Sequence, residues 1–176
     1  MKVLLHTCCA PCTTFCRKSL EEDGMEVTGY FYNPNIHPYK EFERRRDTMK
    51  DYAARTGFSV VYHDGYELED FIRNVVFREA ERCRFCYYMR LKKAAEVAKE
   101  LGADAFSTTL LISPYQKHDL IRATGELVSQ EEGIPFLYKD FRSGYRESVR
   151  MSRGMGLYRQ PYCGCIYSEK ERYSGA

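Results

Sequence analysis

The feature that most constrains this chain is the regular alternation of short apolar runs with longer amphipathic ones. Val3-Leu4-Leu5 reads as a strand, residues 11–23 as a helix closed by Gly24, and 27–32 as a second strand. That strand ends in the turn signal Asn33-Pro34-Asn35. A charged helix over 39–55 follows, then a strand over 59–62 and a helix over 67–76. Residues 86–101 form the clearest helix: Leu91, Ala94, Ala95, Ala98 and Leu101 share one face, and Gly102 supplies the stop. The run 105–112 suits a central strand. Ser113-Pro114 reads as a cap plus first-turn proline of a helix reaching Glu132, and 135–141 as a last strand.

Strands that read as wholly buried, alternating with helices, predict an α/β fold with a Rossmann-like parallel sheet and helices on both faces. With 176 residues and neither repeats nor linkers, the chain is expected to form one α/β domain over 1–176. In such sheets ligands bind beyond the carboxyl ends of the strands. That edge is expected to carry Cys8 and Cys9, then Asn33 and His37, then His63 and Asp64, and finally the stretch 113–117.

The chain has eight cysteines and no tryptophan. No apolar run approaches the ~18–20 residues of a membrane helix, and the first residues do not resemble a signal peptide. A cytoplasmic protein without a membrane partner is therefore expected, in a compartment that disfavours disulfides. Seven of the cysteines form three groups: Cys8-Cys9-x-x-Cys12, Cys83-x-x-Cys86 and Cys163-x-Cys165. Cys9 and Cys86 lie near expected helix N-termini, which favour the thiolate that metals need. Cys16 reads as a small buried hydrophobe. A four-cysteine zinc site would leave sulfurs idle. An iron–sulfur cluster plus a second metal or a redox pair uses more of them, and the iron–sulfur reading is preferred over zinc and over thiol–disulfide chemistry.

Net charge is only +2, but 142–159 holds five arginines, Arg142, Arg146, Arg150, Arg153 and Arg159, against Glu147, with Tyr145 and Tyr158 between them. Guanidinium forks suit phosphates and tyrosines can stack on bases, so this segment is expected to face nucleic acid, with 142–176 completing the metal site. Asn33 and Asn35 sit in a candidate substrate loop, and Ser113 and Lys117 at an expected helix start that suits an anion. His37 and His118, taken singly, read as surface residues. The loop after the first strand has no glycine, and neither G-x-G-x-x-G nor G-K-[ST] occurs in the chain, so neither ATP nor NAD is expected.

The segments Leu5–Cys12, Phe31–Pro38, Arg82–Tyr87, Thr108–Pro114 and Tyr162–Ser168, in this order, resemble the QueH-type epoxyqueuosine reductases across nearly the whole chain. The resemblance implies a fold related to the nucleotide α-hydrolase-like (HUP) group, with cysteines in place of its phosphate loop. It implies reduction of epoxyqueuosine to queuosine at the wobble position of tRNA, a [4Fe–4S] cluster beside an additional iron, and no cobalamin. Cys8, Cys9, Cys12, Cys83, Cys86, Cys163 and Cys165 match the family's cysteines and would be the metal ligands. Asp64, His37 and Tyr32 are candidate proton donors; Asn33, Asn35, Ser113, Lys117, Arg146, Arg150 and Arg153 are candidate contacts to tRNA. Electrons would come from an external donor. Two alternatives are a zinc-stabilised nucleic-acid-binding module and an iron–sulfur tRNA thiolation enzyme; the missing phosphate loop counts against the second.

Overall fold

The computed structural model describes residues 1–175. Four parallel strands, β1 (Lys2–His6), β2 (Glu26–Phe31), β3 (Val60–Tyr62) and β4 (Ala105–Thr108), lie in the order β3-β2-β1-β4. His6 is in register with Tyr30 on one side and Thr108 on the other, so three strands end at one level. Val3 and Leu5 point to one face of β1, Leu4 and His6 to the other, and all four are buried. Both faces of the sheet are therefore covered, as the uncharged runs imply.

Among the described residues seven α-helices surround the sheet: α1 (Ala10–Glu22), α2 (Tyr39–Thr56), α3 (Leu68–Val75), α4 (Arg82–Glu100), α5 (His118–Glu132), α6 (Tyr145–Gly154) and α7 (Ile166–Ser174). α1 packs on α2 and α6, while α4 packs on α3, α5, β1 and β4. Leu91, Ala94, Ala95 and Ala98 are fully buried. The three alanines let α4 lie close to the sheet, and burying Leu91 contributes about 1.5–3 kcal/mol.

Four elements differ from the sequence expectation. α4 begins at Arg82 rather than Cys86, so Cys83 and Cys86 share its first two turns. The strand expected over 105–112 stops at Thr108, whose hydroxyl accepts the Leu110 N–H (3.2 Å) and winds Thr109–Ile112 into a 3₁₀ turn. Pro114 then starts no helix. The Ser113 hydroxyl accepts the Tyr115 N–H (3.3 Å) in a local turn, and α5 starts four residues later. The strand expected over 135–141 contracts to one parallel bridge between Phe106 and Phe136. Beyond Leu137 the chain turns away, and Lys139 reaches the Ser19 carbonyl (3.2 Å) and Asp23 at the end of α1.

Candidate metal centre

β1 delivers the first cysteine group. The chain leaves the sheet at Thr7, whose N–H donates to the Tyr30 carbonyl (2.8 Å), and Cys9 becomes the N-cap of α1. The Cys8 N–H donates to the Thr109 hydroxyl (3.0 Å), which in turn donates to the Cys8 sulfur (3.2 Å). Thus the 3₁₀ turn after β4 braces the cysteine turn after β1, at the switch point where such sheets bind ligands. α4 brings Cys83 and Cys86. The segment before α7 brings Cys163 and Cys165, and it is held from α2. Buried Arg45 donates to the carbonyls of Tyr162 (3.0 Å) and Cys163 (2.8 Å) and pairs through Nε with Glu41 (2.7 Å). The His37 N–H donates to the Gly164 carbonyl (2.8 Å), and the Ile166 N–H to His37 Nδ1 (2.9 Å).

These elements enclose a cavity of about 660 Å3 lined by Cys8, Cys12, Cys83, Cys86, Cys163 and Cys165. Cys9 lies beside Cys8, sulfur to sulfur 3.8 Å, and the sulfurs of Cys8, Cys9 and Cys12 all fall within 4.8 Å of one another. Two thiolates on one tetrahedral ion with metal–sulfur bonds of ~2.3 Å stand roughly that far apart. The donor set thus fits a thiophilic metal. Cys16 is buried on α1, away from the cavity lining, as a small hydrophobe should be.

Side-chain amides address the sulfurs. Asn35 Nδ2 donates to Cys86 (2.9 Å), Gln116 Nε2 to Cys163 (3.1 Å) and Gln160 Nε2 to Cys9 (2.9 Å). Hydrogen bonds from Cys12 and Cys9 hold the Cys8 thiol well below the ordinary range, while burial pushes Cys9 and Cys86 up to about 12. The helix-terminus effect expected at Cys9 and Cys86 is therefore outweighed by desolvation. Without a cation, burial opposes charge on all three sulfurs of the first group, and Cys8 is the thiol whose ionisation its neighbours favour. A bound metal would supply the positive charge that ionises its neighbours.

The structure brings some of the other predicted residues to this cavity and not others. Asn35, Ser113 and Lys117 line it. Asn33 is buried beside it, its Nδ2 donating to the Thr7 carbonyl (3.0 Å). Arg146, Arg150 and Arg153 are exposed along α6, whose Tyr145, Ser148 and Val149 line the cavity. Asp64 is exposed and Tyr32 buried, and neither lines the cavity. His37 and His118 are buried, contrary to the surface reading. His118 Nε2 lies 3.0 Å from the Ser113 carbonyl. Burial, then Arg90, lowers the His37 pKa to about 4, so its imidazole is neutral; its Nδ1 accepts from Ile166 and its Nε2 has no partner.

Sequence reasoning missed Gln116, Gln160, Tyr87, Tyr115 and Arg90. Tyr87 donates to Gln116 Oε1 (2.7 Å) and so orients its amide toward Cys163. Tyr115 is 83% exposed at the mouth, edge-on to Tyr145. Only Arg90 carried a signal, one helical turn after Cys86 and two after Cys83.

Comparison with known proteins agrees with this geometry. The family described as "Epoxyqueuosine reductase QueH" matches residues 3–171. The protein of that name from Dehalococcoides mccartyi is 41% identical over 172 residues, covering 98% of this chain and 94% of its own. Its counterpart from Streptococcus pyogenes is 38% identical, covering 96% and 70%. Among solved structures, a "predicted subunit of tRNA methyltransferase" from Methanocaldococcus jannaschii superposes with a TM-score of 0.58 at 12% identity, over 87% of this chain and 74% of its own. That likeness concerns the α/β fold alone. The match over almost all of the sequence, with all seven grouped cysteines inside it, makes this chain a member of the QueH epoxyqueuosine reductase family.

Proposed function

We propose that this protein reduces epoxyqueuosine in tRNA to queuosine. The epoxide takes up two electrons and two protons, both carbon–oxygen bonds to the ring oxygen break, a carbon–carbon double bond forms, and the oxygen leaves as water. The observation that carries this reading is the convergence of six cysteines on one cavity, with Cys9 grouped beside Cys8 and Cys12, in a chain of this family.

Cys83, Cys86, Cys163 and Cys165 are four thiols from α4 and the pre-α7 segment, the number a [4Fe–4S] cluster needs. The closely grouped Cys8, Cys9 and Cys12 would hold the additional iron. Together such groups would supply single electrons and a Lewis-acid position.

The chain's own residues do the rest. Asn35, Gln116 and Gln160 fix the sulfurs through N–H···S bonds. Lys117 and Arg159, both lining the mouth, would bind phosphates beside the modified nucleotide, and Tyr115 would stack on an adjacent base. The exposed Arg146, Arg150 and Arg153 extend that positive surface along α6 toward the anticodon stem. None of the candidate proton donors Asp64, His37 and Tyr32 lines the cavity, and buried His37 is neutral, so we assign proton delivery to water at the open side, with the Lys117 ammonium the group at the mouth that hands one on. Solvent exclusion falls to the substrate, which would close the open side.

The test is purification without oxygen, assay of iron, sulfide and zinc per chain, and incubation with epoxyqueuosine-containing tRNA and a low-potential reductant. Loss of one oxygen from the modified nucleoside, with more than ~4 irons per chain, is expected. Zinc without sulfide and an unchanged nucleoside would reject the proposal in favour of a zinc-stabilised binding module.

A further inference from the structure

Two arginines, Arg45 and Arg90, are each only 1% exposed. Burying a guanidinium costs several kcal/mol unless an anion and hydrogen-bond acceptors replace the lost water. Arg45 has both, in Glu41 and two backbone carbonyls. Arg90 lacks the anion: no carboxylate among the described residues pairs with it, and its Nε finds no hydrogen-bond partner. The groups that interact most strongly with its charge are the sulfurs of Cys86, Cys163, Cys8 and Cys165, drawn from all three cysteine groups.

The other titratable neighbours cannot balance it. His6 is fully buried; Nδ1 lies 2.9 Å from the Thr108 hydroxyl and Nε2 3.0 Å from the Tyr32 carbonyl. Both His6 and His37 are neutral, and neither adds an anion. Arg90 is thus a buried cation with an idle N–H donor and no carboxylate, set on α4 one turn after Cys86 and two after Cys83, beside the place where a thiolate–metal group would put negative charge.

We infer that Arg90 is the resident counter-cation of the cysteine cavity, a positioning residue whose charge stabilises the anionic thiolate–metal group and eases its reduction. The inference rests on the metal reading of the cavity but not on its being a reductase. Each electron added to a thiolate-ligated group increases its negative charge, and a fixed positive charge in a dry site favours the more negative state. Removing that charge must therefore make reduction harder, whether or not tRNA is present.

The test compares Arg90→Gln, which keeps polarity and loses charge, with Arg90→Lys, which keeps charge and loses the fork. Both proteins are loaded with iron and sulfide without oxygen, and the midpoint potential is read by spectroscopic titration. Cobalt(II) affinity against a chelator is measured in parallel through the thiolate charge-transfer band. The expected result for Arg90→Gln is at least a tenfold less favourable reduction equilibrium, ~59 mV for a one-electron couple, and weaker cobalt binding. Arg90→Lys should stay within a few-fold of the parent. A parent-like potential and cobalt affinity in folded Arg90→Gln would overturn the inference. So would an Arg90→Lys variant that folds and loses as much as the glutamine one. If the parent binds no iron and sulfide, the redox reading fails, and the cobalt measurement alone decides the role of Arg90. If Arg90→Gln does not fold, a potential or cobalt affinity for Arg90→Lys more than tenfold from the parent overturns the inference, and a parent-like one supports it.

Discussion

Replacing Arg45 by methionine isolates how the third cysteine group is held. The side chain volume is nearly kept while the charge and three hydrogen bonds disappear, leaving the Tyr162 and Cys163 carbonyls unpaired and Glu41 with only the Tyr158 hydroxyl (2.7 Å). Removing one partner of a buried ion pair costs about 3–5 kcal/mol. Arg45 sits on α2, but two of its three bonds end on the 162–163 segment, so most of that cost should favour local opening of the segment. At ~1.36 kcal/mol per tenfold, the open population should rise by roughly two to three and a half powers of ten. The amide of Ile166, which donates to His37, reports this by hydrogen exchange, and alkylation of the buried Cys165 reports it independently in metal-free protein. Protection of the β1 amides should fall much less. A loss under tenfold at Ile166 would refute the reasoning, as would equal losses at Ile166 and β1, because Arg45 would then stabilise the whole fold.

Cys12→Ser should remove metal from the first group, whereas Cys16→Ala should leave the metal content unchanged and cost only ~1 kcal/mol in unfolding free energy; metal assay and denaturant titration distinguish them. Gly125→Ala should destabilise despite alanine's ~1 kcal/mol advantage in a helix, because the new methyl would lie 2.3 Å from the Phe136 ring; overpacking typically costs 1–3 kcal/mol, and a raised melting temperature would contradict it. Burial, then Arg90, lowers the pKa of both His6 and His37 from 6.5 to about 4. The unfolded chain therefore binds protons first, and stability should fall as pH drops from about 6.5 toward 4, at up to ~1.4 kcal/mol per pH unit for each histidine; a flat profile in metal-free protein would count against it. Alanine at Arg146, Arg150 or Arg153 should weaken tRNA binding and lower its salt slope by about one per lost phosphate contact, read from binding isotherms over a salt series.

Much of the fold was legible because its strands are short uncharged runs, which require a buried parallel sheet. Several features were not. The start of α4 escaped because Cys83, Arg84 and Phe85 carry no apolar period; that turn faces the cavity, where sulfur replaces hydrocarbon. The end of β4 depends on one hydroxyl, that of Thr108, closing on the Leu110 N–H, and no periodicity records such a bond. Ser113-Pro114 fits a helix cap and a turn equally well, and the competing Ser113–Tyr115 turn won. The cysteines themselves were readable from spacing. Their partners were not, because Gln160 meets Cys9 across 151 residues of chain and Gln116 meets Cys163 across 47. Glutamine is an ordinary surface residue until the topology makes it a donor to sulfur.

The first cysteine group occupies the place where doubly wound sheets receive an anion, the turn between β1 and the N-terminus of α1. A phosphate there needs backbone N–H groups presented by glycines. This turn offers little of that kind: the Cys8 N–H is already given to Thr109, Pro11 has none, and no glycine opens the loop. What remains of the anion site is its field, the positive end of α1, now reinforced by Arg90 from α4. Thiols set in that field, once ionised by a bound metal, suit a cation rather than a phosphate. The same charge balance gives Arg90 its place. Concentrating thiolates in a buried turn would be prohibitive without fixed positive charge, and the helix terminus alone, worth only about 0.3–1 kcal/mol, leaves Cys9 protonated.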